Sequence, residues 1–309
     1  MKNKIAKIFI VCFLVFSLTG CTQILKDKNK KVVTNEITGQ SLTANILCQP
    51  ESKETIKKYK ENKVNIDKLP KCEAFKITSG GYEGIWSTIF VKPLAWFIIK
   101  VGEICKNYGL AVILITILIR LILYPFTKKT AMQSENLKKA RPELDKLEKK
   151  YKNKDQTDQT IMMQKSQEMM AIYKTYNISP MSGCLFSFIQ IPLFFAFYEA
   201  LNRLPVLFEE KFLGFQLGTS PVTAFGKGQY LYIIFIILVI AATYFSMKLN
   251  KTAAMSADQE KQMKMMTNIM VIMIGIASLT ISTGIALYWI TNSTFTIVQN
   301  LLVQRRDAS

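Results

Sequence analysis

Residues 109–126 read GLAVILITILIRLILYPF, and Arg120 is the only charge among them. A guanidinium at the centre of a lipid-facing helix costs about 2.5–3.5 kcal/mol on insertion scales. Arginine stays ionised, so it cannot escape by losing a proton. The chain must therefore give Arg120 water, a partner or a route to the headgroups. Arg120 lies six residues before Phe126, roughly 9 Å of helix rise, so snorkelling is one solution. Thr116, one turn earlier, places a hydroxyl on the same helical face. That points to the other solution, a hydrated surface at membrane depth, although a lone threonine also bonds its own backbone.

A second polar stripe lies near the C-terminus. Trp289, Asn292, Thr296 and Gln299 recur at i, i+3, i+7 and i+10, which puts them on one helical face. Ser293 and Asn300 widen the stripe, and Gln190 adds an amide in another apolar run. Polar residues in spans often only bond neighbouring helices. A stripe this long beside a buried arginine favours a wet groove.

The chain has no histidine, which excludes Ser-His-Asp and Cys-His catalysis and histidine metal sites. It carries no P-loop and no dinucleotide fingerprint. No cofactor is implied, and the protein is not expected to be an enzyme. Half the residues are hydrophobic, one fifth are charged and the net charge is +18. That mixture fits a membrane protein with polar loops better than a soluble enzyme.

The N-terminus reads as a signal. Lys2, Lys4 and Lys7 precede a short apolar core, and Leu18-Thr19-Gly20-Cys21 resembles a bacterial lipobox. Cleavage would leave a mature chain starting at a lipidated Cys21; the alternative is an uncleaved anchor helix. Cys105 and Cys184 read as small apolar residues. Cys48 and Cys72 either form a disulfide in an oxidising compartment or remain two isolated thiols.

Residues 21–83 are polar and rich in Lys, Asn, Thr and Glu, and are predicted to be an extracellular tether with little core. Residues 85–104 are apolar but interrupted by Lys92, Pro93 and Lys100, which predicts an interfacial helix. Five spans follow from hydropathy and length: about 107–126, 184–202, 229–247, 266–281 and 285–303. The last two share one long apolar run that Ser282-Thr283-Gly284 is expected to split. Residues 127–183 carry twelve basic and seven acidic residues, and charge bias places them inside the cell. They are predicted to form a cytoplasmic helical hairpin within 128–180, with helices at 131–152 and 156–176. Residues 304–309 form a cytoplasmic tail, leaving the N-terminus outside. Thirteen of fourteen methionines fall between Met132 and Met273. They either line surfaces that meet varied apolar sequences or simply fill cores.

At these residues the chain resembles the YidC/Oxa/Alb membrane protein insertase family in its Gram-positive lipoprotein form. ILITILIRLILYPFTKKT, PMSGCLFSFIQIPLFFAFYEAL and GIALYWITNSTFTIVQN carry the resemblance, which extends over about 84–303. Four positions depart from the family pattern: Ser179, Phe186, the Ser282-Thr283-Gly284 turn, and Ser246 where several relatives place a groove glutamine.

The resemblance implies an all-α membrane protein. Five transmembrane helices would surround a hydrophilic groove open to the cytoplasm, with the hairpin and an extracellular interfacial helix attached. It implies insertion and folding of nascent membrane proteins, alone or with the Sec translocon, in a bacterial plasma membrane. Arg120, Thr116, Gln190, Ser246, Tyr288, Trp289, Asn292, Thr296 and Gln299 would line the groove. Membrane lipids are partners, ribosome contact is plausible from charge, and no specific nucleic-acid site is expected. The competing class is a channel or secondary transporter, against which no inverted repeat is evident.

Overall fold

The computed structural model describes residues 22–155, 157–179, 182–249 and 257–306. Residues 1–20, read above as a signal, and Cys21, Pro180, Met181, Met255 and residues 307–309 lie outside the described residues. The fold is mostly helical. Among the described residues, two helices are long and apolar enough to cross a membrane: Tyr108–Tyr151 and Tyr230–Leu249, with a shorter apolar helix at Lys264–Ser278.

Residues 22–83 correct the expectation of a tether with little core. Helix α1 (Lys53–Glu61) is capped by Ser52, whose hydroxyl accepts from Thr55 N. Isolated antiparallel bridges pair Ile24 with Thr43, Lys26 with Val32 and Thr34 with Ser41. Leu25, Leu42, Ile46, Tyr59 and Ile66 bury together with Phe208. These apolar residues lie in turns and bridges and have no single period, so a pattern search passes over them. Cys48 and Cys72 form a disulfide.

Residues 85–105 begin with a π-helical turn at Ser87–Val91 and continue as α2 (Lys92–Cys105). Lys106, in the left-handed region at φ 52°, ends the helix. The next helix, α3 (Tyr108–Tyr151), runs unbroken for 44 residues, about 66 Å at ordinary rise. The predicted first span and first hairpin helix are thus one element. Pro125 and Pro142 lie inside it. A proline removes one helical hydrogen bond and bends the axis, but no glycine or capping residue comes after either one to stop the helix.

Helix α4 (Gln159–Thr175) is shorter than predicted because Asp158 caps it, accepting from Thr160 N at 2.7 Å. It packs antiparallel on the end of α3. Leu137, Ala140, Leu144, Leu147 and Tyr151 meet Met169, Tyr173 and Ile178 in a shared core. Lys150 and Tyr151 bond Glu168, and Tyr176 bonds Glu143.

Helix α5 (Ser182–Arg203) contains Pro192. It leads into the short helix α6 (Pro205–Glu209), a two-stranded hairpin of β1 (Lys211–Phe212) and β2 (Phe215–Gln216), and α7 (Pro221–Gly226). Helices α8 (Ile233–Leu249), α9 (Ala257–Ser278) and α10 (Thr283–Arg306) complete the fold. The break between α9 and α10 falls at 279–282. Thr283 N and Oγ1 donate to Thr219 O at 3.0 and 2.9 Å, and Gly284 N donates to Leu217 O at 2.8 Å. These bonds anchor Thr283 and Gly284 at the helix start, so the turn precedes them.

By internal contacts the chain divides into two compact units. One comprises residues up to Thr116, Pro192–Phe235 and Ser278–Tyr288; the other comprises Ile117–Ile191, Ile236–Ala277 and Trp289 onward.

Candidate functional site

Arg120 is 2% exposed. Its Nε donates to Asn292 Oδ1 at 2.6 Å, and one terminal nitrogen donates to Gln190 Oε1 at 2.7 Å. Three helices, α3, α5 and α10, therefore meet at one guanidinium. Bonds to a charged donor are short and about twice as strong as neutral ones. Two amide oxygens satisfy donors without adding negative charge, so these contacts leave the cation's sign in place. Of the solutions open to Arg120 in the sequence, the structure supplies partners: two amide oxygens from neighbouring helices.

The stripe on α10 divides. Asn292 turns to Arg120. Thr296 Oγ1 donates to Asn292 O, and Asn300 Nδ2 donates to Thr296 O, so both return to their own helix. Gln299 Oε1 accepts from Thr127 Oγ1 at 3.1 Å. Trp289 Nε1 donates to Thr243 Oγ1 at 2.9 Å, which ties α10 to α8. Ser293 is buried and Ser246 is half-buried.

Two further site residues make other contacts. Thr116 Oγ1 donates to Val112 O at 2.6 Å, an ordinary backbone bond within its own helix. The Tyr288 ring stacks on Phe197, centroids 4.2 Å apart. Thr127 and Thr243 were missed. Thr127 lies two turns beyond Arg120 on the same face, a signal that was legible. Thr243 is an isolated threonine in an apolar helix and gives no such signal.

A second polar centre was also missed. Arg203 and Lys92 are both fully buried. Lys92 Nζ donates to Ser79 O at 2.8 Å and Gly81 O at 2.5 Å, and lies 3.3 Å from Glu83. Gly80 and Gly81 both have φ above 70°, a conformation natural to glycine, and Gly81 so placed turns its carbonyl toward the ammonium. Arg203 pairs with Glu83 and with Glu199 (3.1 Å), and donates to Ser87 Oγ at 2.9 Å and Asn45 O at 2.6 Å. Trp86 Nε1 donates to Glu199 at 3.0 Å. Burial acts to raise the Glu83 carboxyl, but the Arg203 bond and charge together with Lys92 outweigh it and hold the group below its ordinary value. Glu199 and Arg203 were readable as an i,i+4 pair; Glu83 and Lys92 were not.

Comparison with known proteins places this geometry. Residues 100–309 match the family model described as 60Kd inner membrane protein. "Membrane protein insertase YidC" of Oceanobacillus iheyensis is 34% identical over 72% of this chain and 85% of its own length. The Alkalihalophilus pseudofirmus protein of the same name is 36% identical over 70% and 81%. "Membrane protein insertase MisCA" of Bacillus subtilis is 35% identical over 72% and 80%. A crystal structure titled active YidC insertase, with its first transmembrane domain resolved, aligns at 23% identity and TM-score 0.49. That alignment spans 81% of this chain and 53% of the other. The chain belongs to the YidC/Oxa/Alb membrane protein insertase family, a family of membrane proteins and not a class of catalytic enzymes, and the relatives named here are bacterial.

Proposed function

We propose that this chain inserts newly made membrane proteins and helps them fold, alone or with the Sec translocon. The observation that carries the reading is Arg120: a buried cation in an apolar helix, two of its donors on neutral amides of two other helices. Five spans, formed by the first part of α3 and by α5, α8, α9 and α10, enclose the polar network. The hairpin of α3 and α4 and the tail lie inside, as charge bias assigns; residues 21–83, lysine-rich against that rule, lie outside because the signal exports them, with lipid on Cys21.

The enclosed state is the resting one. An acidic segment of a nascent chain enters from the cytoplasm and competes with Gln190 and Asn292 for the guanidinium. Unit charges 4 Å apart attract by about 4 kcal/mol at an effective dielectric of 20, against about 1 in water. A carboxylate therefore outcompetes an amide there. Replacing the amides releases α5 from α10 and opens a polar groove between them. The apolar flank of the substrate then slides out along these helices into lipid, driven by about 25 cal/mol per Å² of apolar surface buried and by the membrane potential. The basic hairpin meets the substrate as it leaves the ribosome.

The test is purified protein in liposomes with a small acidic-tailed single-span substrate made in situ, read by protease protection. Arg120→Ala is expected to abolish insertion and Arg120→Lys to retain most of it. Equal insertion by all three proteins refutes the electrostatic account. Solute flux through the same liposomes without a nascent chain would favour a channel or transporter instead.

A further inference from the structure

Residues 22–83 lie before the region the family model matches, and the insertion reading above makes no use of them. Their core is unusual in one respect. Leu25, Leu42, Ile46, Tyr59 and Ile66 are closed off by Phe208, 1% exposed, which belongs to the loop after α5. The polar seam runs the same way. Leu47 N donates to Arg203 O at 3.0 Å, and Arg203 Nε donates back to Asn45 O. The Glu209 carboxylate accepts from Glu51 N and Ser52 N at 2.9 and 3.0 Å, just before α1. Lys227 Nζ donates to Glu36 O and Ile37 O. Cys48, half of the disulfide, comes directly after Leu47 on this seam.

A segment this short holds a marginal core by itself, and here one wall is supplied by a residue made much later in the chain. The N-terminal segment emerges first during synthesis, so it must wait. We propose that residues 22–83 are a latch assembled last: they fold only onto the loop at 203–228, and the Cys48–Cys72 bond then forms and locks them there. This rests on the outer placement of both segments proposed above.

The locking step needs an exported dithiol–disulfide oxidant. One thiolate of the pair attacks the oxidant's disulfide, forming a mixed disulfide and releasing one oxidant thiolate. The second cysteine thiolate attacks the mixed disulfide. The Cys48–Cys72 bond forms, and the oxidant leaves as a dithiol carrying the two electrons and, on its two sulfurs, the two cysteine protons.

The test uses the full chain in its own membrane, in a Cys105→Ser, Cys184→Ser background. Pulse-labelled protein is trapped over time with a mass-tagged maleimide. Mature protein with otherwise wild-type sequence, freed of Cys12 and lipidated at Cys21, is expected to pass from two taggable thiols to none. Phe208→Ala is expected to lower the docked fraction about a hundredfold, leaving both thiols taggable. Arg203→Gln, and Glu209→Ala, which removes the acceptors for Glu51 N and Ser52 N, keep the apolar core intact and should each slow oxidation. Bond formation at the wild-type rate in all three overturns the proposal, because the segment would then fold before the loop arrives. In the Cys48→Ser, Cys72→Ser pair, trypsin should cut the lysines of 22–83 faster while the 108–306 fragment survives; an unchanged pattern overturns the locking role. Outer placement is checked separately. After reduction, an impermeant maleimide must tag Cys48 and Cys72 in right-side-out vesicles. Tagging only in inverted vesicles refutes the topology, whatever the oxidation kinetics show.

Discussion

Asn292→Leu separates stability from insertion. The substitution keeps the branched shape and heavy-atom count of the Asn292 side chain, with somewhat more bulk, and removes the acceptor that Arg120 Nε meets at 2.6 Å. Arg120 is 2% exposed, so bulk water reaches the vacated position poorly. Loss of a hydrogen bond to a charged group costs about 1.5–3 kcal/mol. For a protein of this size each kcal/mol lowers Tm by about 2–4 °C, so a fall of roughly 3–12 °C is expected in detergent. Arg120→Leu in the Asn292→Leu background removes the buried cation as well. The double variant should recover part of the loss, with a coupling of about 1–3 kcal/mol.

Insertion should move the other way. Asn292→Leu keeps the cation and removes one competitor for it, so acidic-tailed substrates should insert at least as well as with wild type. The double variant, better folded than Asn292→Leu, should not insert them. The assays are thermal unfolding followed by tryptophan fluorescence and the liposome protease-protection measurement, on the same preparations. A double variant no more stable than Asn292→Leu would refute the energetic account of the network. Normal insertion by the double variant would refute the role of the charge.

Other perturbations test the surrounding structure. Gly39 sits at φ +70°, where an added Cβ would lie 2.3 Å from Thr223 Cγ2; Gly39→Ala should destabilise residues 22–83 by about 1–3 kcal/mol, and Thr223→Ala should restore part of this, read by trypsin sensitivity. Leu144→Ala should loosen the shared core of α3 and α4 by about 2–4 kcal/mol. Hydrogen exchange should then rise across residues 137–178 and not in residues 22–83. Glu83 is held below its ordinary value because Arg203 and Lys92 outweigh burial. Its contribution is therefore present above the unfolded-state value and lost as pH falls through the depressed folded value. Wild type should lose Tm below about pH 4.5 relative to Glu83→Gln, whose melting is missing that acid limb. Glu209 runs opposite: burial raises it despite bonds from Glu51 and Ser52. It costs stability while ionised and stops doing so as pH falls through its raised value, so Glu209→Gln should flatten that part of the profile.

Much of the site was legible because its signals are local. A charge inside an apolar run, a polar face repeating with the helical period, and three motif-bearing spans all arise from neighbours a few residues apart. Arg120, Gln190, Asn292 and Gln299 could be named on that basis, and so could the family. Pairings were not legible. Arg120 meets Asn292 across 172 positions and Gln190 across 70, and no period links them. Proline weakens a helix, yet α3 continues through Pro125 and Pro142. Whether a proline ends a helix depends on the residues immediately after it and on the surface against which the bent helix packs.

The segment at 22–83 shows the division most sharply. Its lysines and asparagines dominate composition, which made it resemble a tether. Its five scattered apolar residues share their core with Phe208, from another part of the chain. Arg203 and Lys92 can be buried because carboxylates and carbonyls from several elements converge on them. Helical periodicity and the balance of apolar against charged residues are properties of short stretches, so the amino-acid order displays them directly. Closing a core or compensating a buried charge requires groups distant in the chain to meet, and only the tertiary structure supplies that meeting.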